Sequence, residues 1–513
     1  VLIVKKLIIR ILFASLAMVA LLSPAQAQMA TMDEGLTVAQ NWITLIIQKK
    51  GDWGGHAVAY VDAIQEFKRG ERVLGYFCIV KPMGYIIISL RKELAPVKVY
   101  STNCNLDPES NEGMTDLIKG CMERILNAIE LRLGPIESVQ IQALENILEI
   151  NYKGAWTNLE RNVESFKQQL QSGEIIMNYY EGEILLASSW HQQPPYNDDC
   201  PNIGCNWAGY NNYNANALVG CVATAGSQIM RHWNWPPYGV GSPYNDWYDW
   251  PNMLNRYVWH WTPTPGFTDE NGNPCTQAQI DAVAELCSEV GIAVGMSYGC
   301  GVSLAVTADM EGVFENQYRY SSACVRRNRA DYSAVDWFNR IKAQLNANRP
   351  IQYDIRVTGG GHSFVGDGWQ EIGDPVVRQY HMNYGWDNSY NAWYTLDALY
   401  ASISINDEYM LENIYPAPSL GSSISGVYTP PSFPYRYFDR DATASNAIFR
   451  TNQHLQFLHN IKVTVSTTPG SSLRFEGSSP VGMRLFSRGD ISRGVAIDNA
   501  VINVYENGSI MFY

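Results

Sequence analysis

Positive charge is scarce in this chain: 37 lysines and arginines stand against 50 aspartates and glutamates, a net charge of −13 over 513 residues. No basic stripe runs along it that could neutralise a row of phosphates, which argues against a nucleic-acid partner. Beyond the first two dozen residues there is also no apolar run of membrane-spanning length. Cysteine is sparse, with ten residues at 78, 104, 121, 200, 205, 221, 275, 287, 300 and 324. That is too few to frame a disulfide-held mini-protein but enough for several bridges in an oxidising compartment, and the pairing stays open. Cys200 and Cys205 form a C-x4-C pair with no second pair at matching spacing, weak ground for a zinc site.

What the chain does have begins with "VLIVKKLIIRILFASLAMVALLSPAQA". Lys5, Lys6 and Arg10 precede an apolar run to Leu22, then Pro24, Ala25 and Ala27, the pattern of a secretory signal peptide over residues 1–27. The protein is therefore expected to be secreted or extracellular, with no membrane span once the signal is removed. The remaining length suits about three units of roughly 150 residues, and 46% hydrophobic content is ordinary for a chain that buries real cores.

Composition divides it accordingly. Residues 28–180 mix strands such as "GYIIISL" with an amphipathic helix in which Leu117, Ile118, Met122, Ile125, Leu126 and Ile129 recur at helical spacing. Residues 181–415 are rich in Trp, Tyr, Asn, Gly and Pro, with helices expected near 221–233, 276–291 and 333–348 and long irregular segments of the kind that carry function. After the linker "YPAPSLGSSISG", residues 426–513 read as short strands separated by turns, a small all-β module.

The chemistry concentrates in the aromatic middle. In "NALVGCVATAGSQIMRHW", Cys221 follows a glycine and opens a helix, where unpaired N–H groups and the dipole favour a thiolate. A small buried structural cysteine would read the same so far. In "VTGGGHSFVGDGW", His362 follows three glycines, which let an extended peptide pass the imidazole without side-chain clash. The other histidines lie in other segments or among aromatics with no such approach. His362 stands 141 residues after Cys221, the range of a papain-like dyad. Asn383 and Trp386 in "YHMNYGWDNSYNAWYTLDAL" follow the histidine strand, where a group holding the imidazole in its productive tautomer would be placed.

These blocks resemble the streptopain-like cysteine peptidases, secreted bacterial enzymes of the papain clan. The resemblance rests on "GCVATAGSQIMRHWNWP", "GGGHSFVGDG" and "HMNYGWDNSYNAWYTLDAL", supported by "WHQQPPYNDDCP" and "AELCSEVGIAVGMSYG", and spans most of 181–415. It implies an α+β fold: a papain-like catalytic domain of two subdomains, an inhibitory α+β propeptide over 28–180, and a C-terminal extension. By motif, Cys221 is the nucleophile, His362 its proton acceptor, and Trp386 the ring that shields it. Gly361 is a main-chain contact for bound peptide, and Ser303 in "YGCGVSLA" lies near the substrate loop. The family's first tryptophan of N-W-G-W is Tyr384 here, a change of packing more than of chemistry.

A larger departure is Asp354, eight residues before His362, where the pattern has a glutamine that donates to the oxyanion. An ionised carboxylate there would repel the developing charge. Either it points away or other donors serve, with the Cys221 N–H and Gln192 of "WHQQPP" as candidates. The implied reaction is acyl transfer through a thioester, on protein or peptide substrates, with an apolar subsite and no metal or organic cofactor. Two rivals stay open: a silent relative binding protein or carbohydrate through its aromatic cleft and β-rich tail, and a Cys-His amidase or transferase acting on cell-wall peptides.

Overall fold

A computed structural model describes residues 29–416, apart from 237, 247, 263, 358, 359, 389 and 396–407, and, beyond them, strand segments between 423 and 512. The expected signal peptide lies outside the described residues. Thr31 starts the first helix, α1 (Met32–Lys50), in a capping box with Glu34; Asp33 and Glu34 fill its first turn, Lys49 and Lys50 its last, and Gly51 ends it in the left-handed region. Its buried stripe includes Val38, Trp42, Leu45 and Ile46. Strands β1 (Tyr60–Arg69) and β2 (Arg72–Lys81) form a hairpin, followed by β3 (Tyr85–Ser89) and β4 (Val97–Ser101). β3 and β4 are buried along their whole length, as strands covered on both faces must be. The amphipathic stretch forms α2 (Gly113–Leu133), followed by α3 (Ile141–Glu145), α4 (Lys153–Leu159), α5 (Val163–Ser172) and the short β5 (Tyr179–Glu181).

The middle segment supplies α6 (Cys221–Trp233), the hairpin β6 (Val258–His260) and β7 (Gly266–Thr268), α7 (Gln277–Ala293), α8 (Met310–Asn316), β8 (Val325–Asn328) and α9 (Ala334–Asn346). Then come β9 (Ile351–Val357), β10 (Gly360–Ile372), β11 (Val377–Asn383), β12 (Ala392–Thr395) and β13 (Tyr409–Glu412). The three helices expected in this segment are α6, α7 and α9, and the mixed helices and antiparallel sheet make the fold α+β.

The boundary near residue 180 is no break in the sheet. One antiparallel sheet runs β1-β2-β3-β4-β12-β11-β10-β9-β13-β8, with β5 on the far half of β10. β4 joins β12 by the pairs Tyr100 with Trp393 and Val99 with Tyr394. Side chains reinforce this seam: Lys98 Nζ donates to the Thr395 carbonyl at 2.8 Å, Thr395 Oγ1 to the Val97 carbonyl at 2.8 Å, and Gln370 Nε2 to the Tyr100 hydroxyl at 2.8 Å. A single apolar core spans both sides of it.

One disulfide, Cys205 to Cys300, occurs among the described residues, and the other eight cysteines are thiols, six of them buried. Cys205 is thus not half of a zinc pair with Cys200. Among the described residues of the tail, ten short strands lie between Ser423 and Phe512, and all of their pairings are parallel, in a six-stranded and a four-stranded sheet. Among the described residues no helix is long and apolar enough to cross a membrane.

Candidate active site

Cys221 is the first residue of α6. The residue before it must turn the chain sharply into the helix, and Gly220 does so at φ +89°. A side chain there would also meet Met296 at 2.7 Å and Ser303 Cβ at 3.2 Å. Gly220→Ala is therefore expected to cost about 1–3 kcal/mol, read as a melting temperature several degrees lower. An unchanged melting curve would mean the turn relaxes freely.

The half-buried Cys221 sulfur lies among the main-chain N–H groups of Ser363 and of the helix start. These donors favour the thiolate, but burial and then the negative charge of Asp354 oppose them, and the thiol ends above its ordinary pKa. Gln352, absent from the sequence analysis, ties the helix to the sheet: its buried Nε2 donates at 3.0 Å both to the Val222 carbonyl and to Ser363 Oγ. The signal for it was a polar residue inside the apolar strand "IQYDI".

Strand parity decides where His362 sits. His362 pairs with Ile355 and Phe364 with Tyr353, so these four share one face of the sheet; Ser363 with Asp354 and Val365 with Gln352 share the other, which looks at α6. The first face is covered by α2, whose Met114, Leu117, Ile118 and Cys121 line a cavity with Tyr353, Ile355, Phe364 and Tyr384. The His362 ring is sandwiched there, 4.4 Å from Trp386 and near-parallel to Tyr384 at 6.1 Å. Its Nε2–H donates to the Tyr384 carbonyl at 2.8 Å, and burial pushes its pKa down to about 4. No hydrogen bond joins it to Cys221 among the described contacts. In this form the imidazole and the thiol are both neutral and lie on opposite sides of one strand.

Several residues expected at the site are placed differently in this form. Asn383 does not touch the imidazole here: it pairs with Val365 and so faces α6, where its Oδ1 accepts from Gln228 Nε2 and Gly385 N–H and its Nδ2 donates to the Ser188 carbonyl. The Tyr384 main chain holds the ring instead. Tyr384 itself is a core residue, 3% exposed, its ring tilted against Phe364 at 4.8 Å, and does not line an open cleft. Ser303 is also buried, its hydroxyl donating to the Leu218 carbonyl at 2.7 Å, so it braces the approach to Cys221. Gly361 is exposed beside the histidine. The Trp386 ring lies against the imidazole, and its turn is held by Arg256 paired with Asp387 at 2.5 and 2.6 Å.

Gln192 approaches from the other side. Its carbonyl accepts from Val219 N–H at 3.0 Å, bringing it beside the segment that leads into Cys221, and its side-chain amide takes no partner among the described residues. Asp354 is spoken for in part, accepting from Thr307 Oγ1 at 2.6 Å.

Elsewhere, Asp246, Glu285 and Glu289 bring carboxylate oxygens within 4.8 Å of one another, the described residues' sole group with metal-ligand proximity. Burial and then neighbouring acids push Glu285 up to about 7, and burial does the same to Glu289, which accepts from the Tyr248 hydroxyl. Protonation relieves this repulsion without a cation.

Residues 190–394 match the Peptidase C10 family. Streptopain of Streptococcus pyogenes is 29% identical over 267 residues, 47% of this chain and 65% of streptopain's own length, so the match stops short of the whole relative. The thiol protease/hemagglutinin PrtT of Porphyromonas gingivalis is 26% identical over 219 residues, 41% of this chain and 23% of that protein. Among solved structures, a fragment of Prevotella intermedia prointerpain A superposes with a TM-score of 0.45 at 19% identity, covering 69% of this chain and 99% of the fragment. Residues 190–394 are thus similar to the streptopain-like cysteine peptidases of the Peptidase C10 family.

Proposed function

We infer that this protein is a cysteine endopeptidase made as a zymogen, with Cys221 and His362 as its dyad and residues 28 to about 180 as its inhibitor. The observation that carries the reading is the thiol of Cys221 at a helix start, held by the N–H of Ser363, the residue next to His362. Once the imidazole turns to the α6 face, it can take the thiol proton. The thiolate then adds to a peptide carbonyl, the imidazolium protonates the leaving amine, and water hydrolyses the thioester. The turn needs the histidine position to change faces, equivalent to a one-residue shift of its strand, and the glycines ahead of it permit that.

The N-terminal unit opposes the turn. Its α2 packs over the histidine face, and Arg124 from that helix donates to the Arg356 carbonyl at 2.6 Å and to Glu408 at 2.5 Å. Gln192 with the Cys221 N–H would receive the oxyanion. Gln192→Ala is expected to lower kcat about 100- to 1000-fold with little change in KM, measured with a fluorogenic peptide; a loss under threefold removes Gln192 from that role.

The identity of the nucleophile is tested by incubating the processed chain with a peptidyl epoxide and mapping the adduct by mass spectrometry. Rapid modification confined to Cys221 is expected. No modification, with binding of protein or carbohydrate retained, would favour the silent-binder reading.

A further inference from the structure

We propose that Asp354 forms, beside Cys221, a subsite for a cationic side chain of the substrate, arginine or lysine. The proposal rests on the peptidase reading above and departs from the apolar subsite that the family resemblance implies. Asp354 lies directly across from Ser363, the residue whose N–H reaches the Cys221 sulfur, and on the same, α6-facing side of the sheet. It is 7% exposed. One carboxylate oxygen accepts from Thr307, but the other, Oδ1, is buried with no hydrogen-bond donor. The nearest cation to it is Arg356, whose Nε stands 3.8 Å away on a side chain 58% exposed. Arg326, the other cation on this side, has its guanidinium over the Tyr409 ring at 4.0 Å. The Tyr409 hydroxyl, which accepts from Ala308 N–H, also donates toward the Asp354 carboxylate, leaving Oδ1 the oxygen without a hydrogen bond.

A buried carboxylate with an unmet oxygen is costly, and burial duly raises the pKa of Asp354. Its charge also works against the Cys221 thiolate. A substrate guanidinium or ammonium bound at Oδ1 would satisfy the oxygen and offset that charge in one step, so the correct substrate would itself favour the nucleophilic form. The chain leading to Thr307 exposes Val302, Leu304 and Val306, apolar surface suited to the methylene stem of lysine or arginine.

The test uses the processed enzyme and fluorogenic peptides differing only at one of the three positions before the scissile bond, with arginine, lysine or methionine there. At one position, kcat/KM for arginine over methionine is expected to favour arginine about 10- to 100-fold. Asp354→Asn should bring that ratio close to one and lower the pH midpoint of iodoacetamide alkylation of Cys221. Arg356→Ala, on an exposed side chain, should raise the ratio by freeing Oδ1, and it serves if Asp354→Asn does not fold. Hydrolysis with no preference for a cation, or a preference that survives Asp354→Asn, overturns the subsite and leaves the peptidase reading intact. No hydrolysis of any peptide together with no epoxide adduct on Cys221 overturns both.

Discussion

Cys221→Ala is expected to lower hydrolysis of a peptide bond by the processed chain about 10,000-fold or more, because removing the nucleophile of a dyad leaves only binding and oxyanion contacts. No other described thiol can take over. Burial raises Cys78 and Cys200 to about 12, Cys104 and Cys121 to about 11, and lifts Cys287 and Cys324 higher still. Cys275 is half-buried and pushed up to about 11 by burial and then by Asp269. Among the described thiols, Cys221 alone combines partial exposure with main-chain N–H groups facing its sulfur at a helix start. Initial rates on unfolded casein and on a fluorogenic peptide, under reducing conditions, provide the comparison, with Cys275→Ser as a control that keeps parental activity. A fall of less than tenfold in Cys221→Ala would remove Cys221 from the chemistry.

The uncut precursor is expected to turn over peptide about 100- to 10,000-fold more slowly than the processed chain, the range supplied by a positioned general base. In this structure the proposed base, His362, is neutral, buried and bonded to the Tyr384 carbonyl. Proton transfer from Cys221 has no route while the imidazole lies on the far face of its strand. The cut is expected in "GEIIMN", ahead of β5, where Ile176 is 73% exposed. β5 would stay with the catalytic segment through its pairing with β10. Intact-mass measurement during activation should show a loss of roughly 150 residues rising in step with activity. Equal activity before and after the cut would refute the zymogen reading and require His362 to reach Cys221 with α2 in place. Because β4 is hydrogen-bonded into the same sheet as β12, the cut alone is not expected to free the cleft at once; the seam must also separate.

Local signals in the chain were sufficient for much of this. The apolar spacing from Leu117 to Ile129 marked α2, "TQAQ" at 276–279 is the capping box that starts α7, and Gly220 before Cys221 announced a sharp entry into α6. Such features depend on residues within a turn or two of one another, so sequence alone carries them. Motif order likewise brought Trp386 to the imidazole, since both flank one hairpin.

Long-range register was not legible. Asn383 and Tyr384 are neighbours in sequence, yet alternation along β11 sends one toward α6 and the other to the histidine, and which is which depends on the pairing of Val365 with Asn383. The same holds for the tail, whose strands were readable while their parallel pairing was not. The sequence by itself determined the elements, the cysteine at a helix start and the glycine-led histidine. Only the tertiary structure decided that β4 extends the catalytic sheet, that Cys205 meets Cys300, that Asp354 lies across from Ser363, and that His362 faces α2 and not Cys221. Periodicity is a property of neighbouring residues, whereas the face a strand residue presents is set by partners far along the chain, and three glycines before His362 leave that choice to the packing.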